Sequence, residues 1–319
     1  MVGIGPILAR SRRGEQTAVR LATVITEDGL RLHVRGRGGY VDVAHATGDE
    51  RLSDIDAVLS GGAQVLDLVR NASQQDGREL REEEYGPAVP APRRILCLGV
   101  NYLEHALEGG RPPTKWPETF VRGADSVTAP YGELVKPDLT SRFDFEGELA
   151  LVIGKGGRYI RAEDALSAIA GYTIAMDGTA REWQRAASQW TPGKNFDGTM
   201  PLGPEVVTTD EIDVSNVQLT TTLNGTVMQS SSTALMIFDI PRTIEYLSSF
   251  TTLRPGDVIA TGTPGGVGFA RTPPVWLVPG DLIEVEIEGL GRIANRVVEE
   301  EGDVAGWPWV PPTPETATF

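Results

Sequence analysis

From residue 19 to 46, β-branched and polar positions alternate, and the alternation is interrupted at Glu27-Asp28-Gly29 and again at 36–39. A period of two places every second side chain on one face, so the pattern predicts β-hairpins. The spacing then changes. Ile55, Val58 and Leu59, followed by Val65, Leu66, Leu68 and Val69, recur at helical intervals on either side of Gly61-Gly62, which predicts two short amphipathic helices. A polar stretch at 71–84 and a proline-rich run at 87–92 have the composition of a linker. Together these features predict a smaller N-terminal α/β domain with its linker over 1–90.

Beyond residue 90 the apolar positions fall in strand-like runs at 95–100, 149–153, 172–176, 217–223, 258–261 and 282–287, most of them bounded by glycine or proline. Helical spacing is convincing only at 162–170, 180–187 and 240–250. Regular strand–helix alternation is missing, so a β-rich α+β domain over 91–302 is expected rather than a doubly wound parallel sheet. Two Pro-Gly-Asp sequences, at 255–257 and 279–281, precede strand-like runs and read as tight turns. The C-terminal tail, 303–319, is rich in Pro, Thr and Trp; it is expected either to be a mobile end or to pack on a partner subunit.

Composition narrows the function. A chain of 319 residues, 40% of them hydrophobic, has enough material for a sizeable core. Its 44 acidic and 29 basic side chains give a net charge of -15, which opposes binding to nucleic acid or to anionic membranes. The opening MVGIGPILARSRRG places its charges after the apolar run, the reverse of a secretory signal, and a cytoplasmic location is expected. Cys97 is the single cysteine, so an intrachain disulfide and a multi-thiolate metal site are excluded. Any metal is held by oxygen or histidine ligands.

Glu146 and Glu148 stand two residues apart at the start of an apolar strand, so their side chains leave the same face. Two neighbouring buried carboxylates are costly unless a cation neutralises them, and hard oxygen donors favour Mg²⁺, with Mn²⁺ or Ca²⁺ as alternatives. Asp177, at the end of the GYTIAM run, is the candidate third ligand. A Glu-x-Glu on an edge strand is more commonly just solvated, so the spacing alone does not establish a site.

The segments ILCLGVNYLEHALEGG, FDFEGELALVIGK, GYTIAMDGTAREWQ, GKNFDGTMPLGPEVVT, LNGTVMQ, LRPGDVIATGTPGGVG and PGDLIEVEIEGLGRIANRVV resemble, in order, the successive motifs of the fumarylacetoacetate hydrolase superfamily. The resemblance spans about 92–300. It implies a mixed β-roll catalytic domain, a homodimer, and Glu146, Glu148 and Asp177 as the metal ligands.

His105 and Glu108, at i and i+3 of a short helical segment, share a face, and a carboxylate there can orient an imidazole. The resemblance makes this pair a general-base dyad on a lid, with Gly109, Gly110, Pro112 and Pro113 as the hinge. It also makes Lys194 a positive charge beside the metal, where substrate charge gathers. Arg181 and Gln184 resemble residues that the family points at substrate, although Arg181 equally suits a structural anchor for acidic groups. The glycine-rich loop at 261–268 offers backbone N–H groups and hydroxyls to an anion, with Thr263 as the side-chain contributor. Arg122 and Met176 depart from the family pattern, where lysine and asparagine are frequent.

The implied activity is Mg²⁺-dependent hydrolysis of a carbon-carbon bond in a small 2,4-dioxo acid of the acylpyruvate type. Isomerisation or decarboxylation of a 2-oxo or 2-hydroxy-diene acid uses the same electron sink and stays open. So does a non-catalytic metal-binding or carbohydrate-acid-binding protein on the same fold.

Overall fold

Strand Gly147–Ile153 is buried along its whole length, and its alternating side chains divide the interior into two layers. Leu149, Leu151 and Ile153 enter one apolar cluster, whereas Ala150 and Val152 enter another. The computed structural model describes residues 18–110, 112–302 and 304–308.

Around this strand a ten-stranded mixed sheet is assembled in the spatial order Gly39–Asp42, Gly29–Gly36, Arg20–Thr26, Met200–Thr208, Ile169–Met176, Gly147–Ile153, Val258–Ala260, Ile95–Gly99 and Glu118–Arg122, with Val127–Thr128 paired to Met200–Thr208 off this path. On the Leu149 side a five-stranded sheet covers it, contributing Leu219, Ile283, Val285 and Ile287 to the shared cluster. Gly147 permits that close approach, because a Cβ there would lie 2.3 Å from Thr221 Oγ1. On the Ala150 side pack Ile55, Val58 and Val69 from helices Ile55–Ser60 and Gly62–Ala72. The fold is therefore the β-rich α+β arrangement expected from the sequence.

The N-terminal hairpins extend the central sheet: Arg20–Thr26 runs antiparallel to Met200–Thr208, with Leu21 opposite Val206. Leu21 and Val206 also share one apolar cluster, so sheet and core both run across residue 90. The helical run at 162–170 is shorter than its spacing suggests, because a 3-10 helix Ala162–Ala168 gives way at Ile169 to a strand. Helix Ile240–Phe250 forms as predicted, capped by Asp239, which accepts from the Arg242 N–H at 2.9 Å. Both Pro-Gly-Asp turns place their glycine at positive φ, 81° at Gly256 and 96° at Gly280. Most of the tail, 309–319, lies outside the described residues. Among the described residues no helix is long and apolar enough to cross a membrane.

Candidate metal centre and base

Strand register builds the acidic cluster. Met176 pairs with Gly147, and the Asp177 N–H donates to the Glu146 carbonyl at 2.8 Å, which sets Asp177 beside the Glu146–Glu148 face. All three carboxylates are buried, and one oxygen of each lies within 4.8 Å of the others. The three residues singled out in the sequence are thus brought together.

Three buried cations surround the cluster. Lys194 Nζ donates to Asp177 Oδ2 at 2.6 Å and to Glu146 Oε2. Arg122 pairs with the other Asp177 oxygen and donates to the Gly178 carbonyl at 3.0 Å and Thr199 Oγ1 at 2.6 Å. Arg181 donates to Glu146 Oε1 at 2.6 Å, Asp144 Oδ2 at 2.8 Å and Gln184 Oε1 at 2.9 Å. Burial pushes the Glu146 carboxyl upward, but the charges of Arg181 and Lys194 override it and hold the group below the usual range. For Lys194, burial lowers the ammonium, yet Asp177 and Glu146 prevail and raise it.

Glu148 differs. Among the described residues no cationic side chain pairs with it, and its oxygen accepts only from the Gly262 N–H, at 2.9 Å. Burial, and then the negative charges of Asp177 and Glu146, push its carboxyl well above the usual range. Four buried carboxylates, with Asp144 included, therefore face three buried cations. An all-oxygen donor set with uncompensated negative charge fits a hard divalent cation.

This imbalance predicts a pH effect on the metal-free protein. The folded state keeps a proton on Glu148 that the unfolded chain releases in the ordinary carboxylate range, so stability falls as pH rises from there toward neutrality. Denaturant titrations in chelator from about pH 5 to pH 8 are expected to show a flatter profile in E148Q than in the natural chain. Equal slopes would remove the assignment of the proton to Glu148.

His105 stands on helix Leu103–Glu108, whose entry is fixed by the Asn101 side chain. That amide donates to the Phe238 and Thr261 carbonyls at 3.0 and 2.8 Å and accepts from the Phe238 N–H at 2.8 Å. Val100, just before it, is held at φ 55°, a strained value for a β-branched residue. His105 Nδ1 meets Glu108 Oε1 at 2.7 Å, and Glu108 Oε2 accepts from the Gly266 N–H at 2.7 Å. With Nδ1 turned to Glu108, Nε2 is the basic nitrogen. His105, Glu146, Glu148 and Lys194 line one cavity of about 470 Å³, with Phe120, Trp190 and Phe269 among its apolar walls.

Several expectations change. The glycine-rich loop was expected to offer its N–H groups to a substrate anion. Instead Gly262 donates to Glu148 and Gly266 to Glu108, while Gly268 and Phe269 donate to Asp144 at 2.7 and 3.0 Å. The Thr263 hydroxyl donates to the Gly147 carbonyl at 2.9 Å and accepts from Gln229 at 2.7 Å, although the residue lines the cavity. Arg181 and Gln184 also line it, and the anchoring of Asp144 and Glu146 is the contact that the Arg181 guanidinium makes. Met176 is buried in the core. Asp144 was missed, although Asp144, Glu146 and Glu148 repeat at intervals of two in FDFEGE, a period that marks one strand face. In the sequence Arg122 stands out only as a departure from the family pattern; the structure pairs it with Asp177, 55 residues away.

A mixed sheet carrying a buried triad of carboxylates that could hold a metal ion, with His105 on the cavity that Glu146 and Glu148 line, is the arrangement that defines the class of this protein. The chain belongs to the fumarylacetoacetate hydrolase family: the family model "Fumarylacetoacetate (FAA) hydrolase C-terminal" matches residues 94–298. Among its relatives, mitochondrial oxaloacetate tautomerase FAHD2A of Bos taurus is 43% identical over 245 residues, which cover 75% of this chain and 78% of the relative. The fumarylacetoacetate hydrolase of psychrophilic Exiguobacterium antarcticum superposes with a TM-score of 0.78 at 33% identity, over 88% of this chain and all (100%) of that one. A 5-carboxymethyl-2-hydroxymuconate delta-isomerase of Mycobacterium smegmatis gives 0.70 at 31%, covering 88% and 100%. These relatives are a tautomerase, a hydrolase and an isomerase.

Proposed function

We propose that the chain is a divalent-metal-dependent enzyme that moves a proton at the carbon beside the 2-oxo group of a small 2-oxo acid, exchanging keto, enol or double-bond isomers. The observation that carries this reading is His105, hydrogen-bonded to Glu108, on the same cavity as Glu146 and Glu148, which form a buried carboxylate triad with Asp177. A cation held by those three carboxylates, with Mg²⁺ the first choice, supplies positive charge against the oxygen where negative charge gathers. His105 Nε2 takes the carbon-bound proton, and Glu108 orients the ring and stabilises its charged form. Lys194 keeps Glu146 and Asp177 in place and adds positive potential in a cavity whose aromatic walls limit water. The proton then returns to oxygen or to another carbon.

The tautomerase name of the bovine relative supports ranking proton transfer first. Hydrolysis of an acylpyruvate is the second reading, because the same dyad is suited to deprotonating a water. Both fit a homodimer, which analytical ultracentrifugation checks. A cytoplasmic setting stands as a proposal beside the mitochondrial designation of the bovine relative, and cell fractionation decides it.

In deuterated water, the Mg²⁺-loaded protein is expected to speed deuterium entry at C3 of oxaloacetate well beyond Mg²⁺ alone, as followed by NMR. No acceleration, together with acid pairs released from a 2,4-dioxo acid panel, would put hydrolysis in its place.

A further inference from the structure

We infer that Asp144 is a positioning residue for the base: it anchors the end of the glycine-rich loop, and that loop, through Phe269 and Gly266, holds His105 and Glu108 in register with the carboxylate triad. This rests on the reading of His105 as the base and deepens it. Asp144 is fully buried, lies outside the triad and does not line the cavity, so any effect it has on the reaction passes through its neighbours. Those neighbours occupy both oxygens. Oδ1 accepts from the Gly268 and Phe145 N–H groups at 2.7 and 2.8 Å, and Oδ2 accepts from the Phe269 N–H at 3.0 Å and from Arg181 Nε at 2.8 Å. A counter-charge for Arg181 needs only the last of these contacts, and Arg181 has Glu146 as well. Two of the others fix the backbone at the end of the loop, where a charged acceptor makes each N–H bond stronger than a neutral one.

The path fixed in this way is narrow. A Cβ at Gly268 would lie 2.0 Å from the Val275 carbonyl oxygen and 2.5 Å from Asp144 Oδ1, so only a glycine lets the loop come this close to its anchor. Upstream, the same loop reaches both halves of the site, because Gly262 donates to Glu148 and Gly266 to Glu108. Downstream, the Phe269 ring joins the cavity wall, with its centroid 6.3 Å from that of the His105 ring and the two planes at 74°, a T-shaped contact. His105 is thus supported by Glu108 at Nδ1 and by the Phe269 ring, and both supports are held by the loop that Asp144 anchors. The Arg181 guanidinium carbon stands 4.6 Å from the centre of the same ring, so the metal side and the base side of the cavity meet there. A base works only at close range, and a shift of about 1 Å costs up to about 100-fold in rate.

The test follows deuterium exchange at C3 of saturating oxaloacetate on the Mg²⁺-loaded natural chain, D144N, H105A and the double variant D144N/H105A. An amide at 144 keeps one acceptor oxygen and turns a donor toward N–H groups, which loosens the end of the loop. D144N is expected to slow exchange by about 10-fold with KM within about 2-fold of the natural value. Calorimetric Mg²⁺ and oxalate affinities are expected to stay within about 3-fold, because Arg181 keeps Glu146 and Gln184. In the H105A background the same substitution is expected to change the rate by less than about 2-fold, since no base is left to position. Equal losses in both backgrounds, a fall in Mg²⁺ affinity large enough to account for the slower exchange, or no loss at all overturns the proposal. If D144N does not fold, F269L carries the comparison, because it keeps the backbone N–H and removes the ring. A loss seen with His105 and absent without it then supports the proposal, and any other result overturns it. If H105A exchanges as fast as the natural chain, the base reading fails and the proposal with it; a slow H105A beside an unimpaired D144N sinks the proposal alone.

Discussion

Replacing Asp177 with Asn is expected to weaken Mg²⁺ binding by at least about 100-fold and to destabilise the metal-free chain by roughly 3 kcal/mol. The sequence alone predicts only the first effect, since a loop carboxylate that binds a metal ought to be dispensable for folding. The structure adds the second. Asp177 is fully buried, with one oxygen on Arg122 and the other on Lys194, so an amide there leaves two buried cations short of a counter-charge. Removing one partner of a buried pair costs roughly 3–5 kcal/mol. The low end applies because Lys194 keeps Glu146, and Arg122 keeps the Gly178 carbonyl and the Thr199 hydroxyl. Calorimetric Mg²⁺ titration and urea unfolding in chelator measure the two effects separately. Unchanged affinity refutes the ligand assignment; unchanged stability refutes the counter-charge argument. A cycle with R122M tests the pair directly, with an expected coupling of about 1–3 kcal/mol.

That difference shows what the sequence could and could not reveal. Glu146 and Glu148 are legible because a strand has a period of two, and Asp177 because it ends an apolar run. His105 and Glu108 are legible because one helical turn joins them. Local periodicity therefore exposes the carboxylate triad and the histidine–glutamate pair. What completes the site is non-local: Arg122 reaches Asp177 across 55 residues, Arg181 reaches Asp144 across 37, and Gly268 reaches Asp144 across 124. Such pairs depend on sheet register and loop path, and no short window contains them. The glycine-rich loop illustrates the consequence. Its composition marks a run of available N–H donors, but whether these face a ligand or the protein's own carboxylates is decided by Asp144 and Glu108, far away in the chain. The N-terminal unit is similar: its hairpins are readable, whereas their attachment to Met200–Thr208 is set by pairing across 185 or more residues.

His105→Ala is expected to leave Mg²⁺ affinity and the binding of oxalate, a small planar diacid, close to those of the natural chain while slowing C3 exchange by about 10²–10⁴-fold. Glu146, Glu148 and Asp177 take no hydrogen bond from this imidazole; their partners are Lys194, Arg122, Arg181 and the Gly262 N–H. Glu108→Gln is expected to cost less, on the order of 10-fold, because the amide still accepts from Gly266 or Nδ1 but no longer stabilises a charged ring. The order of these two losses carries information: if E108Q is as severe as H105A, the glutamate is itself the base, and the roles exchange. Rate loss alone does not identify the reaction, because water activation uses the same dyad. Oxygen does. In ¹⁸O-labelled water a hydrolase places label in the carboxylate formed from the attacked carbonyl, whereas proton transfer creates no new carboxylate. With exchange of ketone oxygens controlled, labelled acid from an acylpyruvate that disappears in H105A assigns the dyad to water. Deuterium at C3 without labelled acid, lost in the same variant, assigns it to carbon.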